Sequence, residues 1–232
     1  MKVALLGDIH GNYRALDIVL NKIKLLNINT LIITGDLIGY YYHPYKVIEL
    51  LNKWNCYIVR GNHEVMLKDV HDNKAFLEKV DKKYGYGLRM AIEQLDKEQI
   101  NLLCNLPHPL NIEIDCSKIL LCHGSPWDLN TYIYPDSPIE LIKKCSLGNY
   151  DLVVMGHTHI PMNVKIKNTI LVNPGSLGQP RNNIIGASWA TYDTISKEVE
   201  LFNDNYDVTE IINECKKNNP DMPYLSEFFI KK

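Results

Sequence analysis

Short apolar runs recur along the chain, and each gives way to a cluster of polar residues. Val3–Leu6 leads into Asp8-Ile9-His10, Leu31–Thr34 into Gly35-Asp36, and Cys56–Val59 into Gly61-Asn62-His63-Glu64. Ile119–Cys122 leads into His123-Gly124, and Leu152–Met155 into Gly156-His157-Thr158-His159. The runs are rich in β-branched residues and nearly free of charge, the pattern of strands buried on both faces. Each polar cluster is therefore expected at the carboxyl end of a strand. Between the clusters, apolar residues return every three or four positions over Tyr13–Leu26, Pro44–Trp54, Asn73–Leu95, Asp96–Leu103 and Pro138–Leu147, which predicts helices crossing over the sheet faces. Asn12 is placed to cap the first of these, and Ser137-Pro138 reads as N-cap and first helical residue of the last. Glu64–Leu110 is mostly helical and predicts a cap or flank within one domain spanning 1–232.

Beyond His159 the period changes to that of strands: Asn163–Lys167, Thr169–Asn173, Ala187–Asp193 and Lys197–Phe202, with turns at Lys167-Asn168 and Thr194–Ser196. These hairpins are expected to supply most of a second sheet. A helix over Asp207–Lys217 and a loose tail from Asn218 to Lys232 close the chain.

Ligands of an open α/β sheet bind beyond the carboxyl ends of its strands, so these clusters are expected to share a cleft. Asp8, His10, Asp36, Asn62, His123, His157 and His159 are all nitrogen or oxygen donors, the set that suits a first-row divalent metal. One ion would be overfilled. The donors divide into two sites of three or four, with one carboxylate shared and positions open for water and substrate. Taken singly, an Asp or Asn after a strand reads as a turn or cap residue, and a lone histidine such as His43, His71 or His108 as a surface or core residue. The ordered set is what points to a metal centre.

That order, D-x-H, GD, GNH[ED], HG and GHTH, resembles the calcineurin-like metallophosphoesterase superfamily, and is similar to its small, compact YfcE-like phosphodiesterases. The resemblance runs from Met1 to about Arg181, and the C-terminal hairpin also fits. It implies an α/β four-layer α/β/β/α sandwich with two mixed β-sheets. It also implies two divalent ions per chain: Asp8, His10, Asp36 and His159 on the first, Asp36, Asn62, His123 and His157 on the second, with Asp36 as the bridge. Mn²⁺ is the favoured ion, with Fe²⁺, Ni²⁺ and Zn²⁺ as alternatives.

The expected chemistry follows from charge. A phosphate ester repels an anionic nucleophile; two metals neutralise its oxygens and lower the pKa of water, so that a metal-bridging hydroxide attacks phosphorus. His63, beside Asn62 but outside the donor set, is the candidate general acid, against a reading in which it only orients Asn62. Protein-phosphatase-like members carry GDxxDRG at the second motif, whereas Gly35-Asp36-Leu37-Ile38-Gly39-Tyr40 lacks both the second aspartate and the arginine. The usual carboxylate partner of His63 and one phosphate-binding arginine are thereby missing, which weighs against a protein Ser/Thr phosphatase. Arg60 and Arg181 are candidate replacements. The run Tyr40-Tyr41-Tyr42-His43-Pro44-Tyr45 offers aromatic surface near Asp36, with Tyr40 a candidate substrate contact, and favours phosphodiesters or nucleotide-like substrates, dinucleoside polyphosphates among them. A phosphomonoesterase or phosphoprotein phosphatase, and a non-catalytic scaffold on the same fold, remain the alternatives.

Composition narrows the partners. With 27 acidic against 25 basic residues the net charge is −2, without a basic stripe for nucleic acid or anionic membrane. No apolar stretch approaches the roughly 20 residues of a membrane span, and Met1-Lys2 leads straight into the first strand, so a cytoplasmic location is expected. The 6 cysteines form no CxxC pair and read as free, mostly buried thiols. Cys122, next to His123, should face the opposite side of its strand and is not counted as a ligand. The expected partner is a small phosphorylated substrate, with homo-oligomer formation open.

Overall fold

The computed structural model describes residues 1–71, 73–181, 183 and 185–230, apart from the side chains of 71 and 74; the expectation for the His71 side chain and for the last two residues of the tail lies outside the described residues. In chain order the elements are β1 (Lys2–Leu6), α1 (Tyr13–Leu25), β2 (Thr30–Ile33), α2 (Pro44–Leu51), β3 (Asn55–Ile58), α3 (Asn62–His71), α4 (Lys74–Tyr84), α5 (Gly87–Gln94), α6 (Lys97–Cys104) and β4 (Leu110–Ile114). There follow β5 (Ser117–Leu121), α7 (Ile139–Cys145), β6 (Leu152–Val154), β7 (Met162–Ile166), β8 (Thr169–Asn173), β9 (Ala187–Asp193), β10 (Glu198–Asp204), α8 (Thr209–Asn218) and α9 (Tyr224–Glu227).

They build two mixed five-stranded sheets, ordered β10-β9-β1-β2-β3 and β4-β5-β6-β8-β7. The strands that carry the polar clusters run parallel: β1 with β2, β2 with β3, β5 with β6. Alternation along each strand explains the stacking. Val3, Leu5 and Ile32 join Ile119, Leu121, Leu152, Val154, Ile170 and Val172 in the core between the sheets. Ala4, Leu6, Leu31 and Ile33 point the other way, into the core under α1 and α2. Leu120, Val153 and Leu171 face outward from the second sheet onto Ile142 and Cys145 of α7. The result is the four-layer α/β/β/α sandwich. Leu67, Val80, Leu88, Ala91, Ile100 and Leu103 of the helical stretch after β3 belong to the same core as β1 and β2.

Several local expectations are corrected. Only the first late hairpin, β7–β8, enters the second sheet; β9 pairs antiparallel with β1, so β9 and β10 extend the first sheet. Trp189 and Tyr192 on opposite faces of β9 supply bulk to both cores, a choice of partner that period alone does not encode. The helical pattern over 73–95 breaks at Gly85, which has a φ of 78° after α4, a conformation glycine adopts without steric penalty. Ser137 does not cap α7: Pro138 is the flanking residue, and the Ser137 hydroxyl accepts from Tyr134 N–H at 2.9 Å. The tail contains α9, and β4 completes the second sheet beside β5. Asn12 caps α1 as expected, accepting from Ala15 N–H at 3.3 Å. The cysteines are free thiols, with Cys116 exposed and Cys122 buried in the apolar layer under α7. Among the described residues no helix is long and apolar enough to cross a membrane.

The helical stretch packs against the loop after β2. A Cβ on Gly87 would lie 2.3 Å from both Gly39 C and Tyr40 N, so α5 rests directly on the Gly39-Tyr40 backbone. Gly87→Ala is expected to lower stability by about 1–3 kcal/mol, the usual effect of overpacking, with the urea midpoint as readout; a change within about 0.5 kcal/mol, the range of a neutral surface substitution, would show that this contact yields easily.

Candidate metal centre

The loops that follow β1, β2, β3, β5 and β6 meet at one edge of the stacked sheets and are laced by hydrogen bonds. Asp8 N–H donates to Gly35 O (3.2 Å), His10 N–H to Asp36 O (2.9 Å) and Gly156 N–H to His123 O (2.6 Å). Glu64, fully buried, accepts from Gly61 N–H (2.7 Å), Asp36 N–H (2.9 Å) and Leu37 N–H (2.8 Å), tying the second loop to the third. This packing forces unusual backbone. Asp8, His10, Asp36, His157 and His159 all have φ between 51° and 68°, left-handed conformations that cost roughly 1–3 kcal/mol each outside glycine and persist only where surroundings enforce them.

Two groups of buried side chains result: Asp8, His10, Asp36 and His159, and Asp36, His123 and His157, with donor atoms within 4.8 Å of one another in each. Asn62 joins the second, its Oδ1 lying 3.0 Å from His123 Nε2. Asp36 alone belongs to both, its Oδ2 lying 3.7 Å from His10 Nε2 and 3.5 Å from His123 Nε2. Its Oδ1 accepts the His63 backbone N–H at 2.9 Å, which fixes the carboxylate between them.

The imidazoles themselves test whether cations fit. His10 Nδ1 lies 3.1 Å from Ile38 O, His123 Nδ1 2.7 Å from Thr34 O, and His159 Nδ1 2.7 Å from Gln179 O. A carbonyl is only an acceptor, so each Nδ1 carries the proton and each Nε2 a lone pair. Yet His10 Nε2 and His159 Nε2 face each other at 3.1 Å. His123 Nε2 likewise faces His157 Nδ1 at 3.1 Å. The lone pairs of His10, His123 and His159 Nε2, gathered beside buried carboxylates, are the donor arrangement of a divalent metal site. Without a cation the charges are unfavourable. Burial pushes the Asp8 carboxyl up to about 8, against the lowering effect of Arg181. Burial, then Glu64 and Asp8, hold Asp36 well above the carboxylate range. Burial also keeps His10, His123 and His159 well below the usual imidazole range and takes His157 down to about 4.

A narrow cleft of about 30 Å³ opens on these donors, lined by Asp36, Asn62, His63, His157 and His159, with Tyr40, Tyr84, Tyr132 and Arg181 around them. Tyr40 and Arg181, two of the candidate substrate contacts, are thus among the lining residues, and the Tyr40 hydroxyl accepts from Arg181 at 3.3 Å. Arg60 is not among the lining residues. Its Nε is buried without a hydrogen-bond partner, and its charge lowers the pKa of His108 after burial does. His108 accepts the His123 backbone N–H at 2.9 Å, and His43 pairs with Glu214 at 2.8 Å, so both are structural. Sequence reasoning missed Tyr84, Tyr132 and the role of Glu64. Tyr132 packs on His157 with ring centroids 4.0 Å apart, and Tyr84 on His63 at 5.3 Å. The only signal for Glu64 was its place at the end of the third motif.

The family model of the calcineurin-like phosphoesterase superfamily domain matches residues 1–197, and the chain belongs to that superfamily. It is 30% identical to an uncharacterized protein of Methanocaldococcus jannaschii, over 93% of this chain and 92% of the relative. A hypothetical protein from Pyrococcus horikoshii OT3 superposes with a TM-score of 0.86 at 24% identity, covering 100% of this chain and 99% of that one. A metallophosphoesterase from Sphaerobacter thermophilus gives 0.79 at 22% identity, covering 99% and 100%. The fold is also shared with the phosphoesterase YfcE of E. coli, at TM-score 0.50 and 20% identity over 88% of this chain and 100% of that one.

The shifted groups predict how stability of the metal-stripped protein depends on pH. Imidazoles depressed in the fold from 6.5 are protonated only on unfolding, so stability falls as pH drops below about 6.5. Asp8, raised to about 8, binds a proton in the fold that the unfolded chain releases, so stability also falls as pH rises from 6.5 towards 8. Thermal unfolding after chelation should therefore peak near pH 6.5, and Mn²⁺ should abolish the alkaline fall. A flat transition temperature between pH 6.5 and 8 in the stripped protein would contradict these environments.

Proposed function

We propose that the protein is a phosphodiesterase acting on nucleotide-like esters with two divalent ions, one held by Asp8, His10, Asp36 and His159 and the other by Asp36, Asn62, His123 and His157. The observation that carries this reading is the pair of donor groups sharing Asp36, each with imidazole lone pairs facing inward. Mn²⁺ is the favoured ion, and the nitrogen and oxygen donors also admit Fe²⁺, Ni²⁺ and Zn²⁺. Bound there, the ions supply positive charge against the phosphoryl oxygens and make water acidic enough to react near neutral pH.

The remaining roles fall to the chain. Among the described residues Arg181 is the one Lys or Arg side chain lining the cleft, and in this reading its guanidinium binds a phosphoryl oxygen while Tyr40 holds it. One guanidinium matches the single negative charge of a diester better than the dianion of a monoester. Tyr40, Tyr84 and Tyr132 narrow the cleft and exclude water from the reacting group. Among the described residues His63 Nδ1 is buried without a hydrogen-bond partner, and Gly39 stands where GDxxDRG has its second aspartate. A Cβ on Gly39 would lie 2.0 Å from that nitrogen, so the imidazole occupies the side-chain space at this position. Burial, His157 and Arg181 take His63 down to about 3. The ring is therefore neutral until an anionic ester binds beside it, and the substrate's own charge favours the protonated form that hands a proton to the leaving oxygen.

The test is turnover by metal-replete protein of bis-p-nitrophenyl phosphate, p-nitrophenyl phosphate and dinucleoside polyphosphates with each of the four metals. Faster diester than monoester turnover is expected; none with any ester or metal would leave the scaffold reading. Asp36→Asn should abolish turnover and lower occupancy of both metals, whereas His123→Ala should empty mainly the second. Two ions per chain with normal turnover in Asp36→Asn would reject the shared carboxylate. His63→Ala should keep both ions but lose roughly 10²–10⁴-fold on a diester with an alkyl leaving group, and markedly less with p-nitrophenolate, which needs no proton to depart. Equal losses would mean that His63 only positions its neighbours.

A further inference from the structure

The space over the metal donors, about 30 Å³, is far too small for the organic part of an ester. Arg181 lines that space and also a neighbouring pocket of about 250 Å³, and it is the described residue common to both. The walls of this second pocket are largely apolar or aromatic: Ile185, Tyr224, Phe228 and Ile230, with Glu227 as the acidic side chain among them. The Tyr224 hydroxyl donates to the carbonyl of Lys83 at 2.7 Å, which pins its ring next to Tyr84 at the rim of the metal cleft. Phe228 stands edge-on to Tyr224, with centroids 6.3 Å apart and planes at 89°. A flat ring system is what such walls accept.

Charge narrows the choice. Arg181 faces the metal cleft, where it meets the phosphoryl group, and Glu227 repels any second anion that enters the neighbouring pocket. A carboxylate only accepts hydrogen bonds, so the ring it favours carries N–H donors. We propose that the pocket between Arg181 and α9 is the subsite for a nucleobase bearing an exocyclic amino group, whose phosphate lies past Arg181 on the metal donors. This rests on the phosphoesterase reading of that centre.

Calorimetric binding of AMP, purine riboside 5′-monophosphate and ribose 5-phosphate to the full-length, metal-replete protein tests the subsite, with free phosphate assayed after each titration. AMP should bind roughly 5- to 100-fold more tightly than ribose 5-phosphate, the range that stacking of one base provides, and more tightly than purine riboside 5′-monophosphate, which has hydrogen in place of the amino group and no N–H donor on that edge. Glu227 is exposed, so Glu227→Ala can be made without disturbing the core, and it should equalise the two purine nucleotides while leaving ribose 5-phosphate unchanged. Phe228→Ala should bring AMP down towards ribose 5-phosphate; if it fails to fold, Glu227→Ala decides alone. Equal affinity of the wild type for AMP and ribose 5-phosphate, or a ratio between the two purine nucleotides untouched by Glu227→Ala, overturns the proposal. Base-selective binding without hydrolysis of any ester would keep the subsite and remove the phosphoesterase reading, whereas hydrolysis of bis-p-nitrophenyl phosphate without base selectivity would remove the subsite alone.

Discussion

The carboxylate of Glu64 is the interaction on which the site depends. Among the described residues it has no cationic partner; its charge is shared among backbone N–H groups of Gly61, Asp36 and Leu37 at 2.7–2.9 Å. Hydrogen bonds to a charged group contribute about 1.5–3 kcal/mol each, and a buried carboxylate stripped of them would face the full desolvation penalty. Burial raises its pKa while these same backbone donors pull it down. The bonds hold Asp36 and Asn62, on loops after two different strands, in one frame, and that frame lets a single carboxylate reach both donor groups.

The same frame stores strain. Five donor-bearing residues sit at positive φ, imidazole lone pairs face one another, and two carboxylates lie with little solvent. None of these would persist on a flexible loop. The sheets provide the rigidity: β1, β2, β5 and β6 are buried on both faces, and their loops bond to each other. The cost of holding the donors is met by two apolar cores, and a divalent cation would relieve its electrostatic part.

Much of this was legible from the chain because the chemistry sits where strands end. The apolar runs located β1, β2, β3, β5 and β6, and the polar residues after them account for every member of both donor groups. Less legible were features that depend on partners distant in sequence. The pattern of β9 shows that it is a strand but not that it pairs with β1, because either sheet could bury Trp189 or Tyr192. Tyr84 ends a helix with no motif, and its place over His63 follows only from where Gly85 breaks the pattern and α5 meets Gly39. Arg60 and Arg181 look alike in sequence, and only the packing of the segment after β8 brings one of them to the cleft.

The altered second motif shows how these levels connect. Replacing the aspartate of GDxxDRG by Gly39 removes a carboxylate, but it also removes a Cβ, and the His63 imidazole presses into the space. Restoring the aspartate would therefore collide with the ring it is meant to orient. Tyr40, in place of the arginine, removes a positive charge from this loop, yet its hydroxyl accepts a hydrogen bond from Arg181, which brings the charge back from the opposite side of the cleft. Both replacements act through geometry: the absence of side-chain bulk at 39 leaves room for the His63 ring, and a phenol at 40 reaches across to a guanidinium more than 100 residues away. The guanidinium at the cleft thus comes from the C-terminal side of the molecule instead of the second motif, and there Arg181 also borders the wall built by Tyr224 and Phe228.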